Sequence, residues 1–173
     1  LPKSRTTDRR DKSEGVITLT YPLPSRERKI SLERPNMNFL DKLSAATQKN
    51  NSLVCVGLDP DPSLMPPGID VFEFNKGIIE ATSDLVCAYK LNLAFYEALG
   101  TDGMDELERS VELIPDGRVV IGDGKRGDIG NTAKAYARAL FNIYDFDAVT
   151  VNPYLGTDSL EPFLEYKDRG IFI

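Results

Sequence analysis

The stretch RVVIGDGKRGDIGNTAKAYARALFNIYDFDAVTVN, residues 118–152, holds one complete unit of the fold. Arg118-Val119-Val120-Ile121-Gly122-Asp123 opens it as a short apolar run, the pattern of a strand buried on both faces. Asn131–Asn142 follows with helical spacing, and Asp147-Ala148-Val149-Thr150-Val151-Asn152 is a second buried strand. Two buried strands joined by a helix make a βαβ unit, in which the strands run parallel.

The same alternation recurs on both sides. Upstream, Leu53-Val54-Cys55-Val56-Gly57-Leu58 is a first strand, and Pro60, Pro62, Pro66, Pro67 and Gly68 mark a loop. A helix is predicted from Val71 to about Ser83, then a strand over Val86–Leu91, then helical segments at Ala94–Leu99 and Met104–Ile114. Pro115-Asp116-Gly117 is turn chemistry that delivers the strand beginning at Arg118. Downstream, a helix over roughly Asp158–Tyr166 leads to Gly170-Ile171-Phe172-Ile173, the opening of a fifth strand.

Two architectures repeat strand and helix in this way, the doubly wound sheet and the (β/α)8 barrel. Leu58-Asp59-Pro60-Asp61-Pro62 stands where a doubly wound sheet carries its Gly-rich phosphate loop. Polar residues instead gather where strands end, at Asp59, Lys90-Leu91-Asn92, Asp123-Gly124-Lys125 and Asn152. That is the habit of a barrel active site. The expected fold is therefore α/β, a (β/α)8 TIM barrel truncated to about its first four βα units plus the start of strand 5. A full barrel takes about 250 residues. A half barrel leaves the edges of its first and last strands open, so stable folding as a lone monomer is not expected.

Composition narrows the function. The chain has 173 residues, 41% of them hydrophobic and 28% charged, enough for one domain and unlike a disordered chain. No apolar run approaches the ~20 residues a membrane span requires, and no apolar leader opens the chain. Histidine is absent, which excludes His-dependent triads and most zinc sites. Cys55 and Cys87 both lie in apolar runs, as expected of reduced core thiols in a cytoplasmic protein.

The net charge of −6 disfavours nucleic-acid binding, but its distribution is uneven. Residues 1–36 carry nine Lys/Arg against five Asp/Glu, and residues 37–173 carry twelve against twenty-two. The first segment is rich in Pro, Ser and Arg, and only Val16–Tyr21 could form a short strand. A basic targeting arm is one reading, but Asp8, Asp11 and Glu14 interrupt the charge, so a disordered or non-native extension is expected. Met37, followed by the amphipathic Phe39-Leu40-Asp41-Lys42-Leu43, marks the start of the domain at residues 37–173.

The densest chemistry is Gly122–Thr132. Positions two apart on a strand point the same way, so Asp123 and Lys125 face one space, within reach of Lys90 on the neighbouring strand. Alternating carboxylates and ammoniums there hold one another ionised. An ammonium so fixed is a proton source, and a fixed carboxylate repels a substrate anion. The same residues could instead form a structural ion-pair network closing one end of a barrel.

Asp123-x-Lys125-x-x-Asp128-Ile129-Gly130-Asn131-Thr132 closely resembles the signature of orotidine 5′-phosphate decarboxylases. Gly57-Leu58-Asp59 and Tyr89-Lys90-Leu91-Asn92 extend the resemblance over Met37–Ile173, and Asn152-Pro153-Tyr154-Leu155-Gly156 is similar to the longer bacterial-type subfamily. The resemblance implies decarboxylation of orotidine 5′-monophosphate to UMP, in de novo pyrimidine synthesis, with neither metal nor organic cofactor. It implies catalytic roles for Lys125 as proton donor to C6, for Asp123 beside the leaving carboxyl, and for Lys90 and Asp128 in the same network. Asp59, Lys90, Thr132 and Asn152 are implied substrate contacts. Asp128 and Thr132 are implied to complete the partner's site in a homodimer. The family's phosphate-gripping loops follow strands seven and eight, so a half barrel is expected to be an impaired catalyst. Gly124 stands where the family often carries a side chain, and its backbone freedom is expected to loosen the Asp123–Lys125 pair.

Other features read as structural. Tyr89, Phe95, Tyr96, Phe141, Tyr144 and Phe146 are expected in the core. Asp102, Asp105, Glu106 and Glu108 are read as a solvated helix start. Asn152-Pro153-Tyr154 is read chiefly as shaping its loop. Two other functions share the pattern: a Mg²⁺-dependent sugar-phosphate enzyme of the same barrel superfamily, which has Asp-x-Lys-x-x-Asp, and a non-enzymatic truncated remnant.

Overall fold

A computed structural model describes residues 37–173; the expectations for residues 1–36 lie outside the described residues. Five short runs rich in β-branched and apolar residues form one parallel sheet in sequential order. They are β1 (Cys55–Leu58), β2 (Ala88–Asn92), β3 (Val119–Arg126), β4 (Ala148–Val151) and β5 (Gly170–Phe172). Sequential order with a helical crossover between neighbours is the first half of a (β/α)8 barrel.

The helices begin where the sequence supplies caps. Asn38 accepts from the Asp41 amide at 3.0 Å to start α1 (Phe39–Asn50), and Asp70 accepts from the Glu73 amide at 2.8 Å to start α2 (Val71–Thr82). Asn92 ends β2 and caps the short α3 (Leu93–Glu97). The longer α4 (Gly100–Leu113) starts earlier than its apolar spacing implies, with Asp102 in its first turn. Beyond β3, α5 (Gly130–Arg138) continues as a π-helical turn over Ala139–Ile143. The single helix expected over Asp158–Tyr166 is instead a 3-10 turn at Thr157–Ser159 followed by the brief α6 (Glu161–Leu164). Pro162 lacks the amide a longer helix would need there.

The sheet has two different faces. One packs Leu58, Tyr89, Leu91, Val120, Val149 and Val151 against the apolar sides of α2, α4 and α5. Tyr96, Phe141 and Phe146 are buried in this core, while Phe95 and Tyr144 pack on its margin. Gly122 belongs to the same layer, and a Cβ there would stand 2.5 Å from the Phe146 ring. The other face, the inside of the barrel, is covered at its N-terminal end by α1, whose Ala46, Phe39 and Leu43 meet Ala88, Val119 and Ile121. Lys42 anchors α1 by donating to Asp147 at 2.5 Å, and the same carboxylate oxygen accepts from the Val120 amide at 2.8 Å.

Both sheet edges are open among the described residues. Leu53 is 87% exposed beside β1, and Ile173 is 72% exposed beyond β5. The expectation of two core thiols holds only for Cys87, which is buried. Cys55 is exposed, because β1 is an edge strand and an apolar run cannot say which strand has a neighbour on both sides.

Candidate active site

Parallel pairing puts all the strand C-termini at one end, and there the inward residues are charged. Lys90 pairs with Ile121 and Asn92 with Asp123, so Lys90 lies one step diagonal from Asp123 on the same face. Lys90 Nζ donates to Asp123 Oδ2 at 2.8 Å, and Lys125 Nζ donates to Asp123 Oδ1 at 2.6 Å. One carboxylate thus holds two ammoniums, one on each oxygen. Asp123 is buried, with its side chain 8% exposed, whereas Lys125 is 64% exposed and open to a ligand.

The electrostatics follow from that sharing. Burial alone would raise the Asp123 carboxyl, but hydrogen bonds from Lys125, Lys90 and Thr150, with the charge of Lys90, outweigh it and hold it at about 2. Burial alone would likewise lower Lys90. The bond and charge of Asp123, helped by Asp59, raise it above its ordinary value. The site is a fixed anion between cations.

Thr150 on β4 is a member that the sequence reading missed. Its hydroxyl donates to Asp123 Oδ1 at 2.8 Å and accepts the Lys125 amide at 2.9 Å. A threonine in a β-branched strand carries no sign of such a role; only its place two residues before Asn152, on the inward alternation, could have pointed to it. Gly124 does not loosen the pair as expected. The left-handed backbone falls on Lys125 itself, at φ 46°, and the Asp123–Lys125 bond is closed.

Asp59, directly after β1, accepts from the Asn92 amide at 3.3 Å, which ties the first two strand ends together. The remaining predicted residues lie apart. Among the described residues no hydrogen bond joins Asp128, Thr132 or Asn152 to the Lys90–Asp123–Lys125 group. Asp128 accepts from its neighbour Ile129 at 2.8 Å, and Thr132 is exposed on the first turn of α5. Asn152 accepts from the Tyr154 amide at 3.0 Å, the local turn expected of a loop-shaping residue. Its backbone comes so near the loop after β3 that a Cβ on Gly127 would stand 2.8 Å from its carbonyl oxygen. Arg126, paired with Glu97 and lying over the Tyr136 ring at 5.2 Å, pins the end of β3.

Comparison with known proteins places the chain. The profile of the orotidine 5′-phosphate decarboxylase / HUMPS family matches residues 52–173. The chain belongs to that family.

Its decarboxylase relatives are close. Over 137 residues it is 62% identical to the orotidine 5′-phosphate decarboxylase of Dehalococcoides mccartyi (strain CBDB1), covering 79% of this chain and 51% of that protein. The orotidine 5′-phosphate decarboxylase of Roseiflexus sp. (strain RS-1) is 53% identical over 142 residues, covering 79% and 52%. Among solved structures, OMP decarboxylase of Leishmania donovani superposes with a TM-score of 0.71 at 39% identity, covering 79% of this chain and 52% of that one. The chain spans about half the length of the curated decarboxylases it matches.

Proposed function

We propose that this chain carries the decarboxylating half of an orotidine 5′-monophosphate decarboxylase active site, converting that nucleotide to UMP in de novo pyrimidine synthesis in the cytoplasm. The observation that carries the reading is the single buried carboxylate of Asp123 shared by the ammoniums of Lys90 and Lys125. In the reaction the C6–carboxylate bond breaks, CO₂ leaves, and the electron pair stays on C6. Lys125 is the exposed ammonium beside it and gives a proton to C6; solvent then reprotonates the amine. Asp123 holds Lys125 charged and in place, and its own negative charge opposes the substrate carboxylate in the ground state. Lys90 balances that anion and, with Asp59, faces the ribose. No metal or organic cofactor takes part.

Asp128, Thr132 and Asn152 stand outside the hydrogen-bonded group, which supports roles beyond it. Asp128 and Thr132 complete the site of a second copy in a homodimer, and Asn152 lines the substrate loop. The family's phosphate-gripping loops belong to strands seven and eight.

The test is an ultraviolet assay of orotidine 5′-monophosphate loss with the purified chain and its Lys125→Ala variant, with and without EDTA. Turnover should survive EDTA and vanish in the variant. Loss with EDTA would favour a Mg²⁺-dependent sugar-phosphate enzyme of the same superfamily. A rate unchanged by Lys125→Ala would leave the chain a non-enzymatic remnant, whereas no turnover at all would leave its family membership standing and deny activity to this chain alone.

A further inference from the structure

We propose that Thr150 is a positioning residue that aims the Lys125 ammonium, a role that rests on reading Lys125 as the proton donor. Between β3 and β4 the register shifts: Gly122 pairs with Val149 and Arg126 with Val151, so a four-residue advance on β3 meets a two-residue advance on β4. Such a bulge leaves amides on the longer strand without their ladder acceptors. Lys125 lies inside it, and its amide is taken by the Thr150 hydroxyl at 2.9 Å instead of by a β4 carbonyl.

The bulge also puts Lys125 in the left-handed region at φ 46°, which a residue with a side chain adopts only when its surroundings hold it. Thr150 supplies that hold. Its hydroxyl accepts from the Lys125 amide and donates a hydrogen bond to Asp123 Oδ1 at 2.8 Å, the oxygen that also accepts from the Lys125 ammonium at 2.6 Å. Amide, hydroxyl, carboxylate and ammonium close a ring, so Lys125 is gripped at both ends. A flexible four-carbon stem on a strained backbone is thereby limited to one direction, the condition for proton delivery to a fixed carbon. Neither oxygen of Asp123 is left to the solvent alone.

Thr150→Val keeps the β-branched shape and removes only the hydroxyl; Thr150→Ser restores it. Three measurements on the full chain decide the matter: steady-state kinetics, hydrogen exchange at the Lys125 amide, and carbon-13 NMR titration of the Asp123 carboxyl. The carboxyl is faced by Lys90 from β2, Lys125 from its own strand and Thr150 from β4, while Asp59 and Cys55 at β1 act on Lys90. In Thr150→Val, kcat should fall about 10–100-fold with KM within about twofold. The Lys125 amide should exchange faster and the carboxyl should titrate at higher pH. Thr150→Ser should recover all three.

Unchanged amide exchange and an unchanged carboxyl titration in Thr150→Val would overturn the proposal, as would a Ser variant that behaves like Val. These two readouts need no turnover. An inactive parent chain would therefore count against the decarboxylase reading alone, and Thr150 would still be judged by exchange and titration.

Discussion

Tyr96 on α3 donates its phenol proton to the carbonyl of Leu58 at 3.0 Å, one residue before Asp59. The phenol oxygen of Tyr96 in turn accepts from Asn75 on α2 at 2.9 Å, and Asn75 also donates to Ser110 on α4 at 2.9 Å. Three helices thus converge through one buried polar chain on the end of β1. Burial pushes the Tyr96 phenol well above its ordinary value, so it serves as a donor throughout the working range.

Tyr96→Phe keeps the ring and removes the donor, leaving the Leu58 carbonyl and one Asn75 proton without that partner. Urea unfolding followed by circular dichroism should show a loss of about 1–3 kcal/mol. A midpoint equal to the parent's would mean that water replaces the phenol at no cost.

Asp123→Asn removes the anion shared by two ammoniums. Burial, the largest influence on Lys90, then acts unopposed by the Asp123 charge, and the Lys90 side chain should titrate at lower pH than in the parent. Carbon-13 NMR of the lysine ε positions reads this directly. Any orotidine 5′-monophosphate turnover should fall by at least about a hundredfold. A Lys90 titration that stays put would show that Asp123 does not hold it.

Acid should weaken the fold over a defined window. The Asp123 carboxyl is depressed from 3.8 to about 2, so the stability it contributes is complete above the unfolded value and is lost as pH falls through the folded one. The denaturant midpoint should drop between about pH 4 and pH 2, with on the order of 2 kcal/mol assignable to this group. Asp123→Asn should flatten that part of the profile. A parent and variant that fall in parallel would assign the acid sensitivity to other carboxylates.

Two glycines on β3 should answer alanine unequally. At Gly122 a Cβ meets the Phe146 ring at 2.5 Å inside the packed core, and Gly122→Ala should cost about 1–3 kcal/mol. At Gly124 the nearest atom is Nε of Arg126 at 3.3 Å, a side chain held by Glu97 and Tyr136 that needs to yield only a few tenths of an ångström, so Gly124→Ala should cost less, under about 1 kcal/mol. Thermal melts of the two variants, compared side by side, check the ranking; equal losses would refute it.

Much of this arrangement is legible in the residues alone. Apolar runs at Val119–Gly122 and Ala148–Val151 mark strands buried on both faces, and period two places Asp123 and Lys125 together. What escapes is what depends on neighbours. Cys55 sits in a run as apolar as that around Cys87, yet the edge position of β1 exposes it. Thr150 reads as one more β-branched strand residue until the register shift beside it creates an amide in need of an acceptor. The helix after β4 breaks into two short pieces because Pro162 interrupts a pattern that spacing alone continues.

The first helix also bears on the order in which the protein assembles. Phe39 packs edge-on against Phe172 with ring centroids 5.9 Å apart, and Gly170 leaves the gap that the Phe39 ring occupies. The first described helix is therefore seated in part by the fifth strand. Its other partners, Ala88, Val119, Ile121 and Asp147, come earlier in the chain, whereas Phe172 follows α1 by more than a hundred residues. Contacts so distant along the chain close slowly, since the entropy of the long loop must be overcome before the contact forms. Docking of α1 is in this sense graded, with most of its seat on β2 and β3 and the Phe172 contact added by β5.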